Sequence, residues 1–133
     1  MIFLDSNIPM YLQGGAHPHK ADAQMLVERL IAQGERMVTD AEVLQEILHR
    51  YAALKRLDAV ADAFRVVLRI VDEVFPIERS DVLRAAEIIQ SQPGFSARDA
   101  LHIAVMERRE VRVVLSFDAD FDRWPGIQRL HSL

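Results

Sequence analysis

The sequence predicts an α/β sandwich built on a mainly parallel sheet. Three observations predict it. Short runs of branched apolar residues, clearest at Val111 to Leu115, alternate with longer segments whose apolar residues recur at a helical period. Half of the 133 residues are hydrophobic and only 7% aromatic, so one ordinary domain can bury a core made mostly of Leu, Ile, Val and Ala. No repeat, low-complexity tract or linker interrupts the chain, and one domain over residues 1–133 is expected.

The elements follow in order. Residues 1–4 read as a short buried strand, and Ile8 to Leu12 as a helical turn that tolerates Pro9 in its first turn. Gly14 to His19 reads as a loop. Residues 19–33 form a helix with apolar positions Ala21, Met25, Leu26, Leu30 and Ile31, closed by Gly34. Arg36 to Thr39 is a strand, and Asp40 is the N-cap of a helix carrying Val43, Leu44, Ile47, Leu48 and Tyr51. Asp58 caps the next helix, with Val60, Ala61, Phe64, Val67, Leu68 and Val71. Glu73 to Ile77 is a strand. Ser80 starts a helix with Val82, Leu83, Ala86 and Ile89, ended by Pro93-Gly94. Ser96 starts another, with Leu101, Ala104 and Val105, which leads into the strand Val111 to Leu115. The tail from Asp118 to Leu133 reads as irregular, with one edge strand at Ile127 to Leu130.

Composition excludes several classes. With no cysteine there is no disulfide framework and no zinc-thiolate site, which fits a reducing cytoplasm. No apolar stretch approaches the roughly 20 residues that span a bilayer. Met1 to Asp5 has no basic region and meets an acid at once, so no signal peptide is expected there. The net charge of -4 lacks the basic footprint of simple nucleic-acid binders, so such a partner would require a bound cation. Fourteen Arg stand against two Lys, Lys20 and Lys55, and Arg is the better planar phosphate ligand.

Parallel sheets of this kind bind ligands beyond the carboxyl ends of their strands. Asp5 follows the first strand directly, and Ser116 to Asp118 follow the last clear one. Each acid also has an ordinary reading. Asp5 suits a helix N-cap, Asp118 a turn, and Asp120 and Asp122 a solvated loop. Asp99 follows Ser96 at capping-box spacing and suits the first turn of a helix. Glu46 suits a flanking helix acid. Taken together, the acids point further. Ionised carboxylates about 4 Å apart repel by roughly 1 kcal/mol in water, and by several-fold more when partly buried. A divalent cation turns that repulsion into coordination. Magnesium is the natural choice for oxygen ligands and a phosphate, and manganese could substitute. No His pair has convincing spacing for zinc.

Four segments, in order along nearly the whole chain, resemble the motifs of PIN-domain ribonucleases, specifically the VapC-type toxins of toxin–antitoxin pairs. They are Ile2-Phe3-Leu4-Asp5-Ser6-Asn7, then Val38-Thr39-Asp40 with Val43 to Leu48, then Arg98-Asp99-Ala100-Leu101-His102-Ile103-Ala104, and Ser116-Phe117-Asp118-Ala119-Asp120-Phe121. The resemblance implies a three-layer α/β/α sandwich and a catalytic acidic quartet of Asp5, Glu46, Asp99 and Asp118. Asp5, Asp99 and Asp118 would hold Mg2+ or Mn2+. Ser6, Asn7, Ser116 and Asp120 would support them, with Asp120 either standing behind the ligands or sharing the work of Asp118.

The activity so implied is hydrolysis of RNA phosphodiester bonds by a metal-activated water. Arg98 is a candidate phosphate contact. His17 and His19 are candidates to touch substrate, and His49 to Arg56 offers a basic rim. His102 reads as a packed residue. The resemblance further implies a VapB-type antitoxin covering the site, and a homodimer. The helices around residues 43–71 carry apolar residues for either interface, though core packing explains them equally. A catalytically inactive PIN-like binding module and a DNA-cleaving relative are the alternatives. A haloacid-dehalogenase-type phosphatase would need an acid where Asn7 stands, and a receiver domain a Lys after a late strand, where neither Lys20 nor Lys55 lies.

Overall fold

The structure, a computed structural model, describes residues 1–132. Five parallel strands stand in the order β3-β2-β1-β4-β5: β1 Ile2–Leu4, β2 Met37–Asp40, β3 Glu73–Phe75, β4 Val113–Leu115 and β5 Gln128–Leu130. Six helices connect them: α1 Asn7–Gln13, α2 Pro18–Ala32, α3 Ala41–Ala53, α4 Leu57–Ile70, α5 Arg79–Ser91 and α6 Ala97–Arg108. The last residue, Leu133, which ends the tail read above as irregular, lies outside the described residues.

The central strands are buried on both faces, and their period of two sorts side chains between two cores. Ile2, Leu4, Met37 and Leu115 face Ile8 of α1 and Ala23, Leu26, Val27 and Leu30 of α2. Phe3, Val38 and Val114 face the other way, onto Val43 and Ile47 of α3, Val67 of α4, Ile88 of α5 and Ile103 of α6. Helix, sheet and helix thus form the three layers. Strand order reverses at β1, where β2 lies on one side and β4 on the other. This places a crevice at the carboxyl ends of β1 and β4, with Leu4 paired to Leu115.

Several element boundaries differ from the sequence reading, each for a local reason. Helix α2 begins at Pro18, where the ring suits a first-turn position and the Nδ1 of His17 accepts the His19 N–H at 3.1 Å. Its buried stripe is Ala23, Leu26, Val27 and Leu30, while Met25 and Ile31 are exposed. At its end Gly34 takes φ +76°, and the amides of Gly34 and Glu35 return to Ile31 and Leu30 as expected of a left-handed cap. Asp58 does not cap α4. The helix already begins at Leu57, and the Asp58 carboxylate binds the Arg56 guanidinium. Helix α5 starts at Arg79, not Ser80, because the Glu78 N–H donates to the Asp81 carboxylate at 2.8 Å.

Strand β3 stops before Pro76, which has no N–H for the ladder. Strand β4 starts only at Val113, since the Val111 N–H closes α6 by donating to Met106. In the tail, the chain winds into a 3-10 helix over Ala119–Arg123 with Phe121 fully buried, a turn not anticipated from the sequence. Leu48, Leu68, Val82 and Leu83 point outward, contrary to their assignment to buried helix faces.

Candidate active site

The crevice beyond β1 and β4 is a cavity of about 280 Å³ lined by Asp5, Ser6, Asn7, Glu46, Ser96, Arg98, Asp99, Asp118 and Asp120. The acids Asp5, Glu46, Asp99, Asp118 and Asp120 and the supporting Ser6 and Asn7 lie here, Ser116 sits buried directly behind, and Asp122 lies outside, paired with Arg129.

Asp5 is held from three sides. Its Oδ1 accepts the Ser6 N–H at 2.8 Å, and its Oδ2 accepts the Ser116 hydroxyl at 2.5 Å and the Asn7 amide at 3.1 Å. Ser116 Oγ in turn accepts the Asp118 N–H at 3.0 Å and the Asn7 amide at 3.2 Å. Asn7 Oδ1 accepts the Phe117 N–H at 3.4 Å. These bonds tie the carboxyl ends of β1 and β4 together. Buried carboxylates survive only with such partners. Burial pushes the Asp5 carboxyl up, and the Glu46 charge adds to this, against the opposing His102 charge and the Ser116 and Ser6 hydrogen bonds.

Asp99 enters from the first turn of α6. Ser96 caps that helix by accepting the Asp99 N–H at 3.0 Å, which leaves the Asp99 carboxylate free for the cavity. The capping reading and the site reading therefore both describe this residue. Burial, and then the charges of Asp5 and Asp118, push its carboxyl up to about 7. Asp118 caps the 3-10 helix by accepting the Asp120 N–H at 2.9 Å. Carboxylate oxygens of Asp99, Asp118 and Asp120 lie within 4.8 Å of one another. Asp120 is the outermost of the three, half exposed and paired with Arg123 at 3.3 Å.

Glu46 is more tightly bound than its sequence context suggests. One oxygen accepts the Ser6 hydroxyl, and the other lies 2.7 Å from Nε2 of His102. The Nδ1 of His102 lies 2.8 Å from Oδ2 of Asp40, whose Oδ1 caps α3 through the Val43 N–H at 3.0 Å. His102 is fully buried and packs against the Phe3 ring. Burial alone would lower its pKa, but the flanking Asp40 and Glu46 carboxylates raise it well above the ordinary histidine value. Burial works to raise Glu46, yet the His102 contact and the Ser6 hydroxyl hold it below the usual value. Both His102 nitrogens are engaged, so its imidazole offers no free ligand atom.

The Asp40–His102–Glu46–Ser6 chain went unseen in the sequence, where Asp40 read as a helix cap and His102 as packing. Both readings hold, but the signal lay in their combination. The spacing from Asp99 to His102 puts the two one turn apart on α6, on the side facing the site. Glu42, one turn before Glu46, is a further acid not singled out. Burial, with Glu46 and Asp40 nearby, raises its carboxyl.

The donor set fits a hard divalent cation. It consists of carboxylate and hydroxyl oxygens around an open cavity, where burial, with neighbouring like charges adding to it, raises the Asp5 and Asp99 carboxyls. Thiolate donors are absent and the one nearby imidazole is committed. Arg98 lines the same cavity and, among the described residues, has no carboxylate within ion-pair distance.

The fold and site together define an α/β domain with strand-end acids and an arginine gathered around one cavity. A PIN-domain family profile matches residues 2–127. The chain is 57% identical over 130 residues to a VapC ribonuclease of Mycobacterium bovis and to ribonuclease VapC13 of Mycobacterium tuberculosis, covering 98% of this chain and 99% of each relative. It is 36% identical over 118 residues to ribonuclease VapC23 of M. tuberculosis, covering 89% and 93%. The chain therefore belongs to the PIN-domain family, among the VapC ribonucleases.

Solved structures agree on the fold. VapC20 of M. tuberculosis, described as a toxin that cleaves the sarcin–ricin loop, superposes with a TM-score of 0.75 at 22% identity, over 92% of this chain and 93% of that one. The VapBC2 complex of Rickettsia felis bound to promoter DNA gives 0.75 at 16% identity, over 98% of both chains.

Proposed function

We propose that this chain is a divalent-metal-dependent endoribonuclease and the toxin of a toxin–antitoxin pair. The observation that carries the reading is the meeting of Asp5, Glu46, Asp99 and Asp118 around one open cavity, with the Asp99 carboxyl pushed up to about 7. Such crowding destabilises a folded chain unless a cation relieves it. Asp5, Asp99 and Asp118 are the residues that would hold Mg2+ or Mn2+, with Asp120 at the rim. A bound cation would supply an acidic water and offset charge on the phosphate.

The chain's own groups do the rest. Ser116, Ser6 and Asn7 fix the Asp5 carboxylate. Asn7 and Ser116 also hold the Phe117–Asp118 backbone in place. His102 and Ser6 fix Glu46, and the low pKa of Glu46 keeps it ionised to accept a hydrogen bond from a water in the cavity. Arg98 is placed to bind a phosphate oxygen.

Among the described residues no helix is long and apolar enough to cross a membrane. Action on cytoplasmic RNA, inhibition by a VapB-type antitoxin and homodimer formation are part of the same reading. Relatives named VapC ribonucleases support the RNA substrate, and structural neighbours solved as VapBC complexes support the antitoxin.

The test is induced expression of the wild type beside Asp99→Asn, with mapping of new RNA ends. Wild type should arrest growth and produce new RNA ends at defined positions, and the variant should do neither. Growth arrest with intact RNA and nicked DNA would favour a DNA-cleaving relative. Cation binding without cleavage of either nucleic acid would favour a binding module.

A further inference from the structure

Beside the acidic cavity lies a second one of about 340 Å³, between α1 and the carboxyl end of α3, lined by Asn7, Met10, Tyr11, Arg50, Tyr51 and Leu54. Asn7 lines both cavities, so they adjoin across one side chain. We propose that this groove is a nucleoside-binding subsite that takes the RNA residue adjoining the scissile phosphate. The proposal rests on the ribonuclease reading above.

Two helices carry the connection at the same spacing. On α1, Asn7 faces the acids and Tyr11 stands one turn further on. On α3, Glu46 faces the acids and Arg50 stands one turn further on, with Tyr51 beside it. Residues four apart share a helix face, so each helix runs from the acidic cavity into the groove.

The lining matches a nucleotide. Single-stranded RNA is gripped by aromatic side chains on which bases stack, and by guanidinium groups on the backbone. Tyr11 and Tyr51 line it with rings, Met10 and Leu54 with apolar side chains, and Arg50 with a cation. Among the described residues Arg50 has no carboxylate within ion-pair distance. The volume lies within the range of small-ligand sites, about 300–1,000 Å³.

The wall is also set in advance. Asn7 is held by Asp5, Ser116 and Phe117. Tyr11 stacks on His17 with centroids 4.4 Å apart and meets the edge of Phe117 at 5.6 Å. With Arg98 in the acidic cavity and Arg50 in the groove, two guanidinium groups without a carboxylate partner among the described residues lie beside the acids in a chain of net charge -4. That pattern suits a backbone that crosses an acidic centre.

The experiment titrates 15N-labelled full-length protein with each of the four ribonucleoside 5′-monophosphates, with and without Mg2+. The expected result is amide shifts at Met10 to Leu12 and Arg50 to Leu54 for at least one nucleotide. Arg50→Ala and Tyr51→Ala should each weaken that binding at least fivefold. Both variants should keep the wild-type spectrum elsewhere and the wild-type Mg2+ response at Asp5 and Asp99. Tyr51→Phe should restore the response, since the ring and not the hydroxyl is needed.

Groove amides that stay silent with all four nucleotides overturn the proposal and leave the groove to an apolar segment of a protein partner. Nucleotide shifts that survive in both alanine variants overturn it as well. Binding is read without cleavage. Nucleotides in the groove of a protein that cuts no RNA would therefore sink the ribonuclease reading, and with it the place beside a scissile phosphate, while leaving the groove a nucleotide site.

Discussion

Nε2 of His102 lies 2.7 Å from Oε1 of Glu46, inside the protein, and so ties an acid of the cavity to the Asp40 cap of α3. A buried carboxylate that loses its partner is costly, about 3–5 kcal/mol where the pair is fully enclosed. His102→Gln should therefore lower stability to urea by about 3 kcal/mol at pH 6. The folded-state pKa of His102 is raised above its unfolded value of about 6.5. Its contribution is thus complete below pH 6.5 and is lost as pH climbs through the folded value. The gap between wild type and variant should narrow toward alkaline pH. A gap that is constant with pH would show that the ring acts by packing alone.

Asp99 shares that pH direction, but here it is the ionised form that the folded protein disfavours. Its folded pKa of about 7 exceeds the unfolded value, so the metal-free protein loses stability as pH rises from about 4 to 7. At pH 8, Asp99→Asn without metal should be more stable than wild type, by on the order of 2 kcal/mol after screening at the cavity mouth. Thermal unfolding in EDTA checks this. A destabilised variant would mean that the carboxylate is held by a favourable contact and not disfavoured by burial beside Asp5 and Asp118.

Proton and cation must then compete for the same carboxylate. Mn2+ affinity should rise as pH climbs from 6 to 8, with a proton released on binding. Calorimetry in two buffers of different ionisation enthalpy reads the release directly. Equal apparent enthalpies at pH 6.5 would place the cation away from Asp99.

Outside the acidic cavity, Asp81 is buried, accepts the Glu78 N–H, and takes Arg108 at 2.7 and 2.8 Å. Burial works to raise its carboxyl, but the Arg108 and Glu78 hydrogen bonds hold it below the usual value. Its stabilisation is therefore present above about pH 4 and lost as pH falls through the lower folded value. Asp81→Ala should cost about 3 kcal/mol at pH 7 and less at pH 3, with activity per folded molecule unchanged.

Much of the site was legible in the sequence because strand ends are legible. A short apolar run followed by an acid locates Asp5 and Asp118 without tertiary information, and Ser96 and Asp99 announce their own helix start. The partners of Glu46 were not legible. His102 meets Glu46 across 56 residues of chain and Asp40 across 62, through packing of α3 on α6 that no local pattern encodes. Helix faces were misjudged where apolar residues outnumber the buried stripe, as with Met25, Ile31 and Leu68. The 3-10 helix escaped because its only apolar anchor is Phe121, in a run of acids that reads as a loop.

The central claim is that these carboxylates act through a divalent cation on RNA. The most direct measurement follows cleavage of purified total RNA by the EDTA-stripped protein as Mn2+ is titrated in, with binding measured on the same samples. Cleavage should begin only as the cation binds, and Asp99→Asn should lose both together. Undiminished cleavage in excess EDTA, or full activity in Asp99→Asn, would contradict the account.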